Sequence, residues 1–143
     1  MLSHSSKYAI KAVLFLAIHS DSEKKVMVKD ISDPINVPQA YLAKLLQQLV
    51  KEHLVSSVRG PKGGFYLDDQ NMNNSVIDII YAIDGEEKLN ACMLSLEKCN
   101  EEKPCPLHHI LNTSRNDILS NLKDRTIKEL AQDVEAGHAF LPL

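Results

Sequence analysis

Apolar positions in the first third of the chain recur with a helical period. Ile10, Val13, Leu14, Ala17 and Ile18 follow the i, i+3, i+4, i+7, i+8 spacing of one helix face, with Ser5 or Ser6 placed to cap the start and Lys7 and Lys11 on other faces. Asp21 to Lys25 reads as a charged turn. A short segment follows from Val26 to Asp33, with Val28 and Ile31 turned inward, and it is expected to stop before Pro34 because a residue preceding proline disfavours helix. Pro38 stands where a helix tolerates proline, at its first position, and Leu42, Leu45, Leu46, Leu49 and Val50 form the buried stripe of a third helix.

The period then changes. Leu54 to Val58 and Phe65 to Leu67 read as two strands joined by the loop Arg59-Gly60-Pro61-Lys62-Gly63-Gly64, a β-hairpin with a basic tip. Asp68 to Asn74 reads as polar linker, and Ser75 caps a helix from Val76 to about Asp84. No periodicity runs from Ala91 to His109. From the end of this segment onward Leu107, Leu111, Ile118 and Leu122 lie along a narrow face of a long helix, either a two-helix seam or packing on its own domain. Thr126 with Glu129 forms a capping box for a last helix carrying Ile127, Leu130 and Val134.

A short helix, a turn at Ile35 to Val37 and a longer helix make the helix-turn-helix outline, in which the leading end of the second helix enters the major groove. By itself the outline is a weak signal, and a solvated helical hairpin is the better reading of it. The β-hairpin directly after it decides for a winged helix, so the predicted fold is mainly α with a small β-hairpin wing and a long dimerisation helix. Gln39, Ala40, Tyr41 and Lys44 stand at the groove end of the recognition helix, where Gln pairs with an adenine edge and Tyr and Lys reach phosphate or base. In the wing, Arg59 suits a narrow minor groove, Lys62 a phosphate, and glycines including Gly63 allow close approach. The glycine loop is not a nucleotide-binding loop: Lys62 is followed by Gly63 rather than Ser or Thr, and no helix follows. The expected division is 1–84 as DNA-binding domain, 85–109 as a cysteine-rich loop and 110–143 as dimerisation helix and C-terminal helix.

A formal net charge of -3 argues against nucleic acid only until its distribution is read. Through Leu67 nine Lys and Arg face five acids, a net of +4, and the remainder carries seven against fourteen, a net of -7. The basic half is the half with the winged helix, which permits a DNA contact. At 143 residues the chain suits one domain, alone or with a dimerisation element. No signal peptide opens it and no apolar run approaches the eighteen or so residues of a membrane span, so a cytoplasmic protein is expected. Its odd cysteine count fits a reducing compartment. Paired catalytic carboxylates and a nucleophile with its base are lacking, so no enzyme is expected.

All three cysteines fall within the segment Ala91 to His109, spaced Cys-x6-Cys-x5-Cys-x2-His through Cys92, Cys99, Cys105 and His108. Four soft or borderline ligands on one loop can hold a metal. Structural zinc usually takes ligands two to four residues apart on a knuckle, so the wider spacing favours an iron-sulfur cluster, with a histidine replacing one thiolate. Pro106 sits where a helix begins, placing His108 in the first turn and the positive helix end beside an anionic cluster. His109 would project about 100° away, and His108 is the choice. The competing readings are a zinc site, a disulfide pair with a spare thiol, a thiol redox switch on exposed cysteines, and three unrelated buried residues. A small iron-sulfur electron carrier leaves the basic wing unexplained, and a module that binds protein alone would give no salt-dependent DNA shift.

With wing and cysteines together, the chain resembles the Rrf2 family of bacterial transcription regulators, most closely its iron-sulfur members of the IscR and NsrR types. The resemblance runs from Ser5 to about Asp133. It rests on Lys7-Tyr8-Ala9, on Tyr41-Leu42, on the wing from Leu54 through Arg59-Gly60-Pro61-Lys62-Gly63-Gly64 to Phe65, on the three cysteines, and on Thr126-Ile127-Lys128-Glu129-Leu130. It implies a homodimer on a double-stranded DNA operator, two winged-helix heads, a long crossing helix, and a regulator, most simply a repressor, that senses iron-sulfur status, redox stress or nitric oxide. By position, Cys92, Cys99 and Cys105 match the family's cluster thiolates. His108 matches the histidine ligand of the IscR type, which implies a 2Fe-2S centre rather than 4Fe-4S. The NsrR type draws a ligand from an aspartate in the first helix, and this chain has no Asp or Glu before Asp21. It departs from the IscR pattern at Ala43, where many members carry an acid, and at Pro34.

Overall fold

A computed structural model describes residues 2–91, 94 and 101–141; Cys92 and Cys99 fall outside them. The first helix, α1 (His4–His19), starts earlier than expected: Ser3 is the cap, its Oγ accepting the Ser6 N–H at 3.0 Å, while Ser5 and Ser6 are helical. Its buried line is also rotated from the predicted one. Ser6, Ala9, Ala12, Val13 and Leu16 are buried, whereas Ile10, Leu14, Ala17 and Ile18 are half-buried. The cause is position. α1 touches four other helices, and small alanine side chains occupy its most crowded line so that neighbouring backbones come close.

Helix α2 (Val28–Ile35) does not stop before Pro34 but runs through it and ends at Asn36, whose φ of 55° is left-handed. Proline in a last turn forfeits only one helical hydrogen bond, and burying Ile31 and Ile35 offsets that loss. Helix α3 (Gln39–Lys51) has Pro38 as its cap rather than its first residue, and Leu42, Leu45, Leu46 and Leu49 are buried as expected, with Val50 half-buried. Each such leucine contributes about 1.5–3 kcal/mol by leaving water, which fixes α3 by its back and leaves its polar face outward.

Strands β1 (Ser56–Val58) and β2 (Gly64–Tyr66) pair antiparallel, Ser57 opposite Phe65. β1 is shorter than predicted and β2 begins one residue earlier, and the sheet gains an unpredicted third partner: Val26 exchanges both backbone hydrogen bonds with Phe65, each 2.8 Å. The expected linker after the wing contains a helical turn, α4 (Asp69–Met72), closed by a reciprocal cap between Asp68 and Asn71. Asn71 is buried there, accepting from the Ser56 hydroxyl and donating to the His53 carbonyl.

Helix α5 (Val76–Asp84) buries Val76, Ile77, Ile79 and Ile80 against α1 and α3. Gly85, at φ 83°, turns the chain into the short α6 (Glu86–Leu89). The long α7 (His108–Asp124) has no fully buried residue. Its predicted narrow face is divided, since Leu122 packs, with Leu119, on this chain's own core while Ile118 is 42% exposed; Ile110, outside that face, is 68% exposed. Helix α8 (Ile127–Glu135) carries the expected capping box and returns to α1, with Ile127 buried and its N–H bonded to the Asn74 carbonyl at 2.8 Å. No helix among the described residues is long and apolar enough to cross a membrane.

Candidate nucleic-acid interface and cysteine segment

The leading end of α3 is built to be read from outside. Gln39, Ala40, Tyr41 and Lys44 are all exposed, Tyr41 at 37%, while the leucine stripe behind them holds the helix on the core. Tyr41 does not stand free. Its hydroxyl forms a hydrogen bond with Ser5 Oγ, and its ring meets the Tyr8 ring edge-on, centroids 6.0 Å apart. The first turn of α1 therefore backs the start of α3, a relation the periodicity of neither helix encodes.

In the wing, Arg59 and Lys62 are exposed at the hairpin tip. Arg59, Ser57 and Phe65 share a cleft with Gln47, Val50 and Lys51 of α3, so wing and helix flank one basic groove. The glycines divide by role. Gly60, at φ 109°, has open space where a side chain would be. Gly63 is buried and closes the hairpin through its N–H to the Gly60 carbonyl at 2.9 Å; a Cβ there would lie 2.1 Å from the Val58 carbonyl oxygen. At Gly64, φ 142°, a Cβ would lie 2.6 Å from the Val26 carbonyl oxygen. The close approach at these two glycines is to the protein's own backbone.

A charged residue that sequence reasoning passed over lies beneath this face. Asp84 ends α5, where a carboxylate opposes the helix dipole, and its side chain is only 7% exposed. It accepts the Ser3 hydroxyl at 2.7 Å and the Ser6 hydroxyl at 2.6 Å, with Lys88 Nζ at 3.7 Å. Burial pushes its carboxyl up, but the Ser6 and Ser3 hydroxyls, then Lys88, outweigh this and hold it below the ordinary carboxylate range. The signal that marks such a residue in sequence is an acid at a helix C-terminus, a position that needs partners elsewhere.

Of the four expected metal ligands, Cys105 and His108 are described and both are half-buried. The His108 N–H bonds to the Cys105 carbonyl at 3.0 Å, so the two close a single turn at the head of α7. Pro106 lies within that turn and not in the helix, whose cap is Leu107. His109 is exposed where His108 is half-buried, and the two rings stand edge-on with centroids 5.5 Å apart. The described residues alone bring no three His, Cys, Asp or Glu together. Arg115 on α7 donates to the Ala91 carbonyl at 3.1 Å and to Asn112 Oδ1 at 3.2 Å, tying the residue before Cys92 to this helix.

Comparison with known proteins places this geometry. The family model Rrf2, described as iron-dependent transcriptional regulator, matches residues 2–133. The helix-turn-helix-type transcriptional regulator IscR of Photorhabdus laumondii is 32% identical over 134 residues, 94% of this chain and 80% of that one. Among solved structures, T. potens IscR superposes with a TM-score of 0.72 at 25% identity, covering 97% of this chain and 91% of that chain. The oxidized form of Staphylococcus aureus CymR gives 0.68 at 25% identity over 92% and 95%.

Proposed function

Since the chain belongs to the Rrf2 family of transcriptional regulators, we propose that it binds a double-stranded DNA operator as a homodimer and changes that binding through an iron-sulfur cluster. The observation that carries the DNA half is the outward polar face of α3, exposed at its leading end and flanked along its last turns by the basic wing. In this reading Gln39, Ala40 and Tyr41 face base edges, Lys44 and Lys62 neutralise phosphates, and Arg59 enters the minor groove with the hairpin closed by Gly63. The second copy covers the outward face of α7 around Ile110 and Ile118, two large apolar residues left in water by the single chain. The parts are then 1–84 for DNA, 85–109 for the cluster and 110–143 for the dimer. The chain acts as a repressor wherever its operator overlaps a promoter.

The ligand set is Cys92, Cys99, Cys105 and His108. The described half of it fits a 2Fe-2S cluster: a thiol and an imidazole, both half-buried, close one turn at the positive end of α7, which favours an anionic group. When bound, the cluster supplies a centre whose charge and ligation change with oxidation, nitric oxide or iron supply. The protein's part is to register that change. Arg115 holds the root of the cysteine segment to α7, and Gly85 joins the segment to α5, so its arrangement bears on both the dimer helix and the head.

A second reading keeps the DNA binding and uses the same cysteines as a thiol switch, supported by the likeness to a CymR described in its oxidized form. Protein purified without oxygen separates them by its visible spectrum, with iron and sulfide assayed on the same sample. Bands near 400 nm that disappear in Cys105→Ala and Cys99→Ala support the cluster. A colourless protein that resists reconstitution yet shifts DNA, with a shift reversed by reductant, selects the thiol switch. Absence of any salt-dependent shift on DNA would overturn both.

A further inference from the structure

Helix α3 is gripped at both ends by α5. Near its C-terminal end the grip is direct: Gln48 Nε2 donates to the Ala82 carbonyl at 2.7 Å. At its leading end the grip passes through one turn of α1. Asp84 takes the hydroxyls of Ser3 and Ser6, and Ser5, between them, holds the hydroxyl of Tyr41. We propose that Asp84 is a positioning residue for DNA recognition, setting through Ser3, Ser6 and Ser5 where Tyr41 and the first turn of α3 stand. The proposal rests on the reading of α3 as the DNA-contacting helix.

Three features carry it. The carboxylate is nearly sealed, so its hydroxyl partners cannot readily be replaced by water. Ser6 is fully buried and exposes nothing to solvent, so its hydroxyl serves only an internal partner. The alternating use of one helical turn, Ser3 and Ser6 toward Asp84 and Ser5 toward Tyr41, makes that turn a lever with two loads. Asp84 is also the last residue before Gly85 and the cysteine segment, so the same contact lies where the segment joins the head.

The test compares wild type, Asp84→Asn, Ser5→Ala and the double variant on a duplex selected from a random pool by the wild-type protein. Asn keeps the size of the side chain while weakening its acceptance of two hydroxyls, so folding is preserved. Each single change is expected to weaken the duplex complex by about three- to tenfold, the worth of one hydrogen bond. The double variant should be no worse than the weaker single one, because both act on Tyr41. Amide exchange at residues 42–45 should quicken in Asp84→Asn, while residues 48–51, held by Gln48, keep wild-type protection. Losses that multiply in the double variant, or unchanged exchange at 42–45, would overturn the proposal. If the wild-type protein selected no duplex, the DNA reading itself would fall, and the exchange data would still decide whether Asp84 governs the start of α3.

Discussion

Replacing Gly64 by alanine measures how firmly the wing is bound to the helical body. The new Cβ would sit 2.6 Å from the Val26 carbonyl oxygen and 2.8 Å from its carbon, both backbone atoms that cannot rotate away. The strands must separate by several tenths of an ångström, which stretches the two 2.8 Å hydrogen bonds between Val26 and Phe65. Losing them costs about 1–3 kcal/mol together, and a side chain at φ 142° adds about 1–2 kcal/mol of backbone strain. A destabilisation of about 3 kcal/mol lowers Tm by about 6–12 °C in a domain of this size. The control is Gly60→Ala, which carries backbone strain at φ 109° and meets nothing within 4 Å. Its expected cost is about 1–2 kcal/mol. Calorimetry of the two variants gives the stabilities, and hydrogen exchange at the Val26 amide reports the bridge. Equal losses in Tm, with Val26 protected in both, would refute the idea that the Val26 contact constrains the wing.

The remaining predictions concern charge and assembly. Asp84 has its pKa depressed in the folded chain, so its stabilising effect is present above the ordinary carboxylate value of about 4 and is lost as pH falls through the lower folded value. The denaturation midpoints of wild type and Asp84→Asn should accordingly differ by a constant amount above about pH 5 and converge below pH 4; a gap that widens in acid would contradict the assigned partners. Ile118→Asp places a charge on the exposed face of α7 and should shift sedimentation from dimer toward monomer without unfolding the chain, whereas an unchanged dimer would put the contact elsewhere. Lys62→Ala should weaken DNA binding alike across sequences and reduce the salt slope by about one. Arg59→Ala should instead relax sequence preference next to the wing, and unaltered affinity and preference would remove Arg59 from the interface.

The helix-turn-helix and wing were legible because they rest on local signals. The leucine stripe of α3 has the helical period, and the hairpin shows its glycine tip between two apolar runs. What escaped was set by neighbours distant in sequence. The buried line of α1 follows from four packed helices rather than from its own apolar count, so two alanines outrank Ile10 and Leu14. Pro34 is tolerated because Ile35 beyond it is buried, and Val26 joins the sheet across a separation no short pattern spans. At the candidate site, the exposure of Gln39, Ala40 and Lys44 was readable from periodicity, whereas the Ser5 contact to Tyr41 and the Asp84 cluster were not, since a serine carries no periodic signal. In sequence the glycines read as letting the tip approach another surface, and at Gly63 and Gly64 the space for a side chain is taken by the chain's own backbone. Sequence does not reveal this, because glycine states only that space is short, not on which side.

The chain leaves the core at Gly85, the end of α5, and comes back at the start of the same helix. Ser75, which starts α5, pairs with Thr126, which starts α8, and Ile127 is bonded to Asn74. The intervening excursion is thus moored at both ends to one helix, with Leu89, Leu119 and Leu122 as apolar studs in the common core among its described residues. Such a layout is a socket. Its contents can be lengthened, shortened or given different chemistry between fixed terminals while the reading head keeps its stability, so new signals can be tried by changing the insert and leaving the reader intact.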